Sequence, residues 1–396
     1  MHAGTSTLQR VAERVVLTLA ATILLPPITI AAGSPPETGR ESVVARKVAA
    51  LEEVGQLYVA FSADSSRVIT GTGFSDALEV WEWRQGTPEH HSLNTGAGSH
   101  TGAKQLIAFS RDGRFMAAAH DPGRERPDSP TGDCKTIKVW NAKTESPLVD
   151  LDAFPAWCSS RGILFSNDGA LLFQIEARRD ACKESSEDIV AFSTRDWRRA
   201  WDVCVGIDKL EIQTLSISPD DKVIAIGALQ FVERNPHPAD LPLLRDHPVV
   251  CLIDVRTHRV IRVLDGSVPD DMWIGALAWS PDGKILAVGL KNTLGDSRTD
   301  AVRLIDPKSG NLIQSENAAY SDIEGLAYTS DGKYLVEGTV NKAVRIWDGS
   351  HQHLLQSIPV GWGSVFADPL NALALSPDNR YLAITQNDET TIYELK

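Results

Sequence analysis

Ten histidines, five cysteines and a repeated acidic turn are the residues of this 396-residue chain whose types could do chemistry. His90-His91 and His351-Gln352-His353 have the close spacing of metal-ligand fragments. No CxxC or HExxH run accompanies them, so a structural zinc site is not expected. Both clusters also follow segments that read as third strands, toward an outer edge rather than a shared centre. No nucleophile elbow or Ser/His/Asp arrangement is legible. The sequence therefore assigns no catalytic residue, no metal and no cofactor, and an enzyme is not the leading expectation.

The carboxylates are explained by a repeat. A large residue, then Ser or Thr, then one further residue and Asp, recurs seven times, with the aspartates at Asp64, Asp112, Asp168, Asp220, Asp282, Asp331 and Asp378. Their spacings of 48, 56, 52, 62, 49 and 47 residues mark a propeller-sized unit. Each copy has tight-turn chemistry: Pro presets φ, Asp caps the backbone, and Gly or Asn tolerates a positive φ. Apolar alternation flanks the turn on both sides, as a hairpin requires. Before it, bulky and small residues alternate (Val59-Ala60-Phe61, Leu277-Ala278-Trp279), which suits an innermost strand squeezed near a central axis. A second strand follows, then a third ending at Trp81, Trp140, Phe192, Ile253, Ile305, Trp347 or Tyr393, and usually a fourth. Four strands in each of seven units predict an all-β, seven-bladed β-propeller.

The seventh unit stops after its third strand, leaving an open edge that invites aggregation. The segment 43–53, centred on Val48-Ala49-Ala50-Leu51, is expected to supply the missing strand and close the ring. The propeller should then occupy 43–396, with 34–42 a short flexible leader. Residues 1–33 read as a secretory signal: Arg10 and Arg14 precede an apolar run over 15–32, and Ala31-Ala32-Gly33 offers a cleavage site. The alternative, an uncleaved membrane anchor, is interrupted by Pro26-Pro27. A periplasmic or secreted monomer with no membrane span after cleavage is the expectation.

The Ser-Pro-Asp-Gly turns and the third-strand endings Val344-Arg345-Ile346-Trp347-Asp348 and Ile137-Lys138-Val139-Trp140-Asn141 resemble the WD-repeat family of propellers, in a looser bacterial form. The resemblance covers nearly all of 43–396. It lacks the Gly-His pair before the inner strand, so the buried Asp-His-Ser/Thr-Trp network of that family is not carried over. The resemblance implies a fold and says little of function.

Loop lengths are the asymmetry that bears on function. From turn Asp to the end of the third strand the units measure 17, 28, 24, 33, 23, 16 and 15 residues. The extra length in units two to five falls at 119–135, 176–188, 229–248 and 291–300. In WD-type propellers these loops share a face with the inter-blade connections, and loops on a rigid scaffold commonly carry function. Arg124, Arg126, Arg178 and Arg179 lie in them beside acidic residues, while Trp157, Trp273 and Trp362 lie in nearby connections. These seven are the candidate contacts of a recognition surface. A solvated rim, or tryptophans that merely plug gaps between blades, is the bland alternative. Cys134 and Cys182 occupy equivalent loops, and Cys158 and Cys204 neighbouring connections, which suggests the pairs Cys134–Cys182 and Cys158–Cys204 among three possible pairings. Cys251 reads as a buried free thiol.

A net charge of −13 and a pI near 5.3 repel a phosphate backbone, so nucleic acid is a poor partner. The expected function is an exported scaffold that binds a protein or polar ligand through the long-loop face of blades two to five. The alternatives are a propeller enzyme, lactonase-like or quinone- or metal-dependent, with its site in the central channel, or a sensor or envelope-assembly component resembling the propellers of bacterial translocation systems.

Overall fold

The protein is described from a computed structural model. The described residues are 44–52, 56–72, 77–84, 86–94, 107–120, 136–152, 162–177, 187–207, 209–233, 244–264, 268–270, 272–292, 302–316, 322–339, 343–359, 372–386 and 389–396. All belong to one unit, Ser42–Lys396. The expected signal and leader, 1–42, lie outside them, as does Val43.

Strand β1 (Ala45–Glu52) precedes the first blade, which comprises β2 (Gln56–Phe61), β3 (Arg67–Thr72), β4 (Ala77–Glu82) and β5 (Glu89–Asn94). Blade two is β6 (Ile107–Phe109), β7 (Phe115–His120), β8 (Thr136–Asn141) and β9 (Pro147–Asp152). Blade three is β10 (Ile163–Phe165), β11 (Leu171–Ala177), β12 (Glu187–Ser193) and β13 (Arg199–Cys204). Blade four is β14 (Leu210–Ile217), β15 (Val223–Glu233), β16 (Leu244–Asp254) and β17 (Arg259–Leu264). Blade five is β18 (Met272–Trp279), β19 (Leu286–Asn292), β20 (Val302–Ile305) and β21 (Leu312–Glu316). Blade six is β22 (Ile323–Tyr328), β23 (Tyr334–Thr339), β24 (Ala343–Asp348) and β25 (Leu354–Pro359). Blade seven is β26 (Ala372–Leu375), β27 (Tyr381–Gln386) and β28 (Glu389–Leu395), with β1 as its fourth strand. Seven antiparallel four-stranded sheets therefore form the ring, as the repeat predicts, and no helix occurs among the described residues.

Closure follows the sequence reading in detail. Lys47 pairs with Tyr393 and Ala49 with Ile392, and Val48 is the extra residue of a bulge between them. Gln356 of blade six accepts from the Val44 and Ala45 amides through its Oε1 at 2.9 and 2.7 Å, and Leu51 is fully buried.

The repeated turn earns its recurrence through hydrogen bonds. In six copies the Ser hydroxyl donates to the Asp carboxylate, at 2.6 to 2.8 Å, as in Ser62 to Asp64 and Ser280 to Asp282. The residue after the Asp has φ between 57° and 74° in all seven turns: Ser65, Gly113, Gly169, Asp221, Gly283, Gly332 and Asn379. The turn hydroxyls, first of all, pull Asp64 and Asp282 from the ordinary 3.8 to about 2. A carboxyl with a depressed folded pKa stabilises the fold above its unfolded value and loses that contribution as pH falls through the folded value. The urea midpoint should therefore drop between about pH 4 and about pH 2. A Ser62→Ala/Ser280→Ala variant should show a shallower drop, and an unchanged pH slope would remove the turn hydroxyls as its cause.

The core lies between blades rather than within them. Phe173 and Ile189 of blade three pack with Ile226 and Cys251 of blade four, and Leu51, Phe61, Trp81 and Tyr381 join blades one and seven. Trp81, Trp140 and Trp347 are buried packing residues, as expected of third-strand ends. Near the axis the blades approach closely: a Cβ on Gly275 would lie 2.0 Å from the Ile323 carbonyl oxygen of the next blade. That spacing explains the small residues of the inner strands.

The outer strands carry an unforeseen regularity. In blades two to six the third and fourth strands slip register at one place, leaving Leu148, Ala200, Ile261, Ile313 and Leu355 as extra residues. Leu148, Ile261 and Ile313, with Val48 of the β1 bulge, are 39 to 54% exposed. Bulges twist an edge strand and spoil it as a template for further pairing.

Candidate functional site

Because successive strands run in opposite directions, the second-to-third-strand loops and the inter-blade connections share one face, and the Ser-x-Asp turns share the other. The loop face is braced by polar bonds that cross from blade to blade. Glu187 of β12 accepts the Ile212 amide of β14. Gln213 accepts the Ile274 amide of β18 at 3.0 Å. Lys291 of β19 pairs with Glu324 of β22. His247 of β16 meets Asp270 at 2.7 Å, holding the connection between blades four and five. These bonds fix the bases of the long loops on the ring.

Of the seven candidate contacts, only Trp273 is described: it lies on β18 opposite Lys291 and is 38% exposed. Trp157, Trp362, Arg124, Arg126, Arg178 and Arg179 lie outside the described residues. So do Cys134, Cys158 and Cys182. Cys204 ends β13. Cys251 is the buried free thiol expected, and burial pushes it up to about 12.

The insertion at 229–248 is not wholly a loop. β15 and β16 extend through it, with Gln230 opposite His247 and Glu233 opposite Leu244, so that only 234–243 remain between them. The sequence hides this extension because Gln230, Glu233, Arg245 and Asp246 break the apolar alternation there. The other insertions likewise lose their first or last residues to strands β7, β11, β12 and β19.

The histidine clusters resolve into carboxylate partnerships. His91 Nε2 lies 2.6 Å from Glu145, and His353 Nδ1 lies 2.8 Å from Asp348. His351, at φ 58°, turns inward so that its Nε2 meets Glu337 of β23 at 2.6 Å, with both side chains fully buried. Trp347 flanks its ring at 4.4 Å between centroids. Among the described residues no three His, Cys, Asp or Glu side chains gather as a metal site would require. The sequence also missed a cleft of about 620 Å³ between blades four and five on the turn side, lined in part by Ile261, Arg262, Trp279 and Lys308.

No family model matches the chain. Over 140 residues it is 32% identical to WD repeat-containing protein SL1-17 of Schistosoma mansoni, a match covering 35% of this chain and 41% of that protein. The chain is similar to WD-repeat proteins. Over 194 residues it is 25% identical to U3 small nucleolar RNA-associated protein 12 of Saccharomyces cerevisiae, covering 46% of this chain and 17% of the relative. A third match, 36% over 89 residues, is to Meiotic fizzy-related protein 2 of Schizosaccharomyces pombe, covering 22% of this chain and 16% of that one. The chain thus spans less than half the length of the curated relatives it matches. These relatives are eukaryotic, so the bacterial form of the resemblance gains no support from them. The likeness and the seven sheets together make this a WD-repeat-like propeller, a fold suited to a protein-interaction scaffold.

Proposed function

We propose that this WD-repeat-like propeller is an exported, monomeric scaffold that binds a protein partner or polar ligand through the long-loop face of blades two to five. The observation that carries the reading is the row of inter-blade bonds from Glu187 to Glu324, which holds the bases of the three long insertions of blades three to five on one ring. Preformed surfaces lose less entropy on binding than mobile ones. Trp273, exposed beside Lys291, supplies an anchor at the rim of that face. Export is supported by the apolar run after Arg14, and an oxidising compartment is where the disulfides assigned next would persist. We assign Cys158 as the partner of Cys204 and pair Cys134 with Cys182.

Glu233 and Leu244 already pair, so an Asn-Gly turn can replace residues 234–243 and close the hairpin without disturbing the blade. In a crosslinking pull-down with the mature protein, this replacement should lower capture of the main partner by roughly tenfold, as loss of an interface centre does. Unchanged capture would sink the loop-face reading. Non-reducing mass mapping of the same preparation should find Ser34 at the amino terminus and a linked Cys158–Cys204 peptide pair.

A further inference from the structure

Blade four carries a basic patch on an acidic chain. Arg256, Arg259 and Arg262 are exposed on its outer hairpin, and Lys308 is exposed on the facing turn of blade five. None of the four forms an ion pair among the described residues, and the Arg262 guanidinium reaches only the Ser309 carbonyl, at 3.4 Å. The acids nearest to them are occupied locally. Asp254 accepts from the Thr257 amide and hydroxyl at 2.6 and 2.7 Å, and Asp306 from the Lys308 amide and Ser309 hydroxyl at 2.8 and 2.7 Å.

Beside this patch opens the cleft of about 620 Å³, within the roughly 300–1,000 Å³ common for ligand sites. Pro219 and Pro281 line it together with Trp279, whose indole N–H is spent on the Ser216 carbonyl at 3.3 Å. Ile261, the bulge residue of β17, stands 54% exposed in the lining. The cleft's own carboxylates, Asp220 and Asp282, are held inside their turns by Ser218 and Ser280 and neutralised by Lys222 and Lys284 at 2.9 and 3.1 Å. Arg256, Arg259, Arg262, Lys222, Lys284 and Lys308 outnumber the carboxylates Asp220, Asp254, Asp282 and Asp306 around the cleft, so the balance offered to a ligand is positive, and the surface offered to it is largely apolar.

We infer that this cleft binds an extended acidic peptide segment, whose apolar side chain packs over Trp279 between the prolines while its carboxylates meet Arg262 and Lys308. The inference rests on the scaffold reading but uses the opposite face. A peptide fits better than a flat anionic surface, because the cations rim a concave apolar site. A phosphate polymer would in addition meet the chain's net charge of −13.

The test is to pan a phage-displayed random nonapeptide library on the intact protein and then titrate the strongest fluorescein-labelled peptides by anisotropy. Selected peptides should combine an apolar residue with neighbouring acidic ones. An Arg262→Glu/Lys308→Glu variant should bind them at least about tenfold more weakly, as expected when charge-assisted contacts turn repulsive. Ile261→Ser should weaken binding without altering charge, and both variants should melt like the parent because the altered side chains are exposed. The inference is overturned if no peptide is selected, if selected peptides lack acidic residues, or if neither variant weakens binding. It is also overturned if phosphatidylserine-containing vesicles or duplex DNA compete as well as unlabelled peptide. Partner capture through residues 234–243 should be untouched by the charge reversal, so a failure here is distinct from a failure of the scaffold reading.

Discussion

A chain begun at residue 54 should fail to form a stable ring, whereas one begun at residue 43 should melt like one begun at residue 34. The difference is β1. Its loss strips seven cross-strand pairs from β28 and removes fully buried Leu51 from the joint between blades seven and one. It also removes Val44 and Ala45 from the seam with blade six, where Gln356 loses the two amides it accepts and the Ala45 carbonyl to which it donates at 3.0 Å. Truncating one buried leucine to alanine costs about 2–5 kcal/mol, and whole domains are stable by only about 5–15 kcal/mol. Deleting the strand removes that leucine together with a sheet edge, so the expected outcome is aggregation or a ring open at β28. Size-exclusion chromatography and thermal melting of the two chains check this, and a synthetic peptide spanning 44–52 should restore part of the melt. A monomeric truncated chain that melts within a few degrees of its longer counterpart would refute the closure argument.

The next largest effect is expected at His351. Its imidazole meets Glu337 at 2.6 Å where neither side chain touches solvent, and the Arg345 guanidinium is farther off, 3.8 Å from the carboxylate. Breaking a buried pair by removing one partner costs about 3–5 kcal/mol, because a charge is left behind without compensation. His351→Ala should lose stability on that scale in urea unfolding at neutral pH. Adding Glu337→Gln should recover part of the loss, since an amide is cheaper to bury than a carboxylate. A single variant within about 1 kcal/mol of the parent, or a double variant as unstable as the sum of the two singles, would show that the pair is not what holds the turn.

His351 also marks the limit of what the linear sequence discloses. The seven turns were legible because each is a local arrangement of four to six residues, and local chemistry survives in sequence. Third-strand ends and the β1–β28 closure were legible because apolar alternation and an unpaired edge are both periodic signals. His351-Gln352-His353 looked like an outward metal fragment because its partner, Glu337, lies one strand back and the inward turn depends on a positive φ at a histidine. The extension of β15 and β16 was missed because Gln230, Glu233, Arg245 and Asp246 show no alternation. The cleft between blades four and five was missed for a different reason: Pro219, Ile261, Trp279 and Lys308 become neighbours only when two blades pack, and no spacing rule links them. The loop-face candidates apart from Trp273 lie outside the described residues.

Ring closure finally bears on how the protein is made. Lys47 and Glu389, which pair across the closing seam, are 342 residues apart. At a translation rate of roughly 5–20 residues per second, β1 leaves the ribosome on the order of 20 to 70 s before its partner strand exists. During that interval Leu51 has no buried place to occupy, and the nascent chain must be kept from false pairing. The blades between can assemble as they emerge, but the seal must wait for β28, so its timing is set by the last strand of the ring to arrive rather than the first.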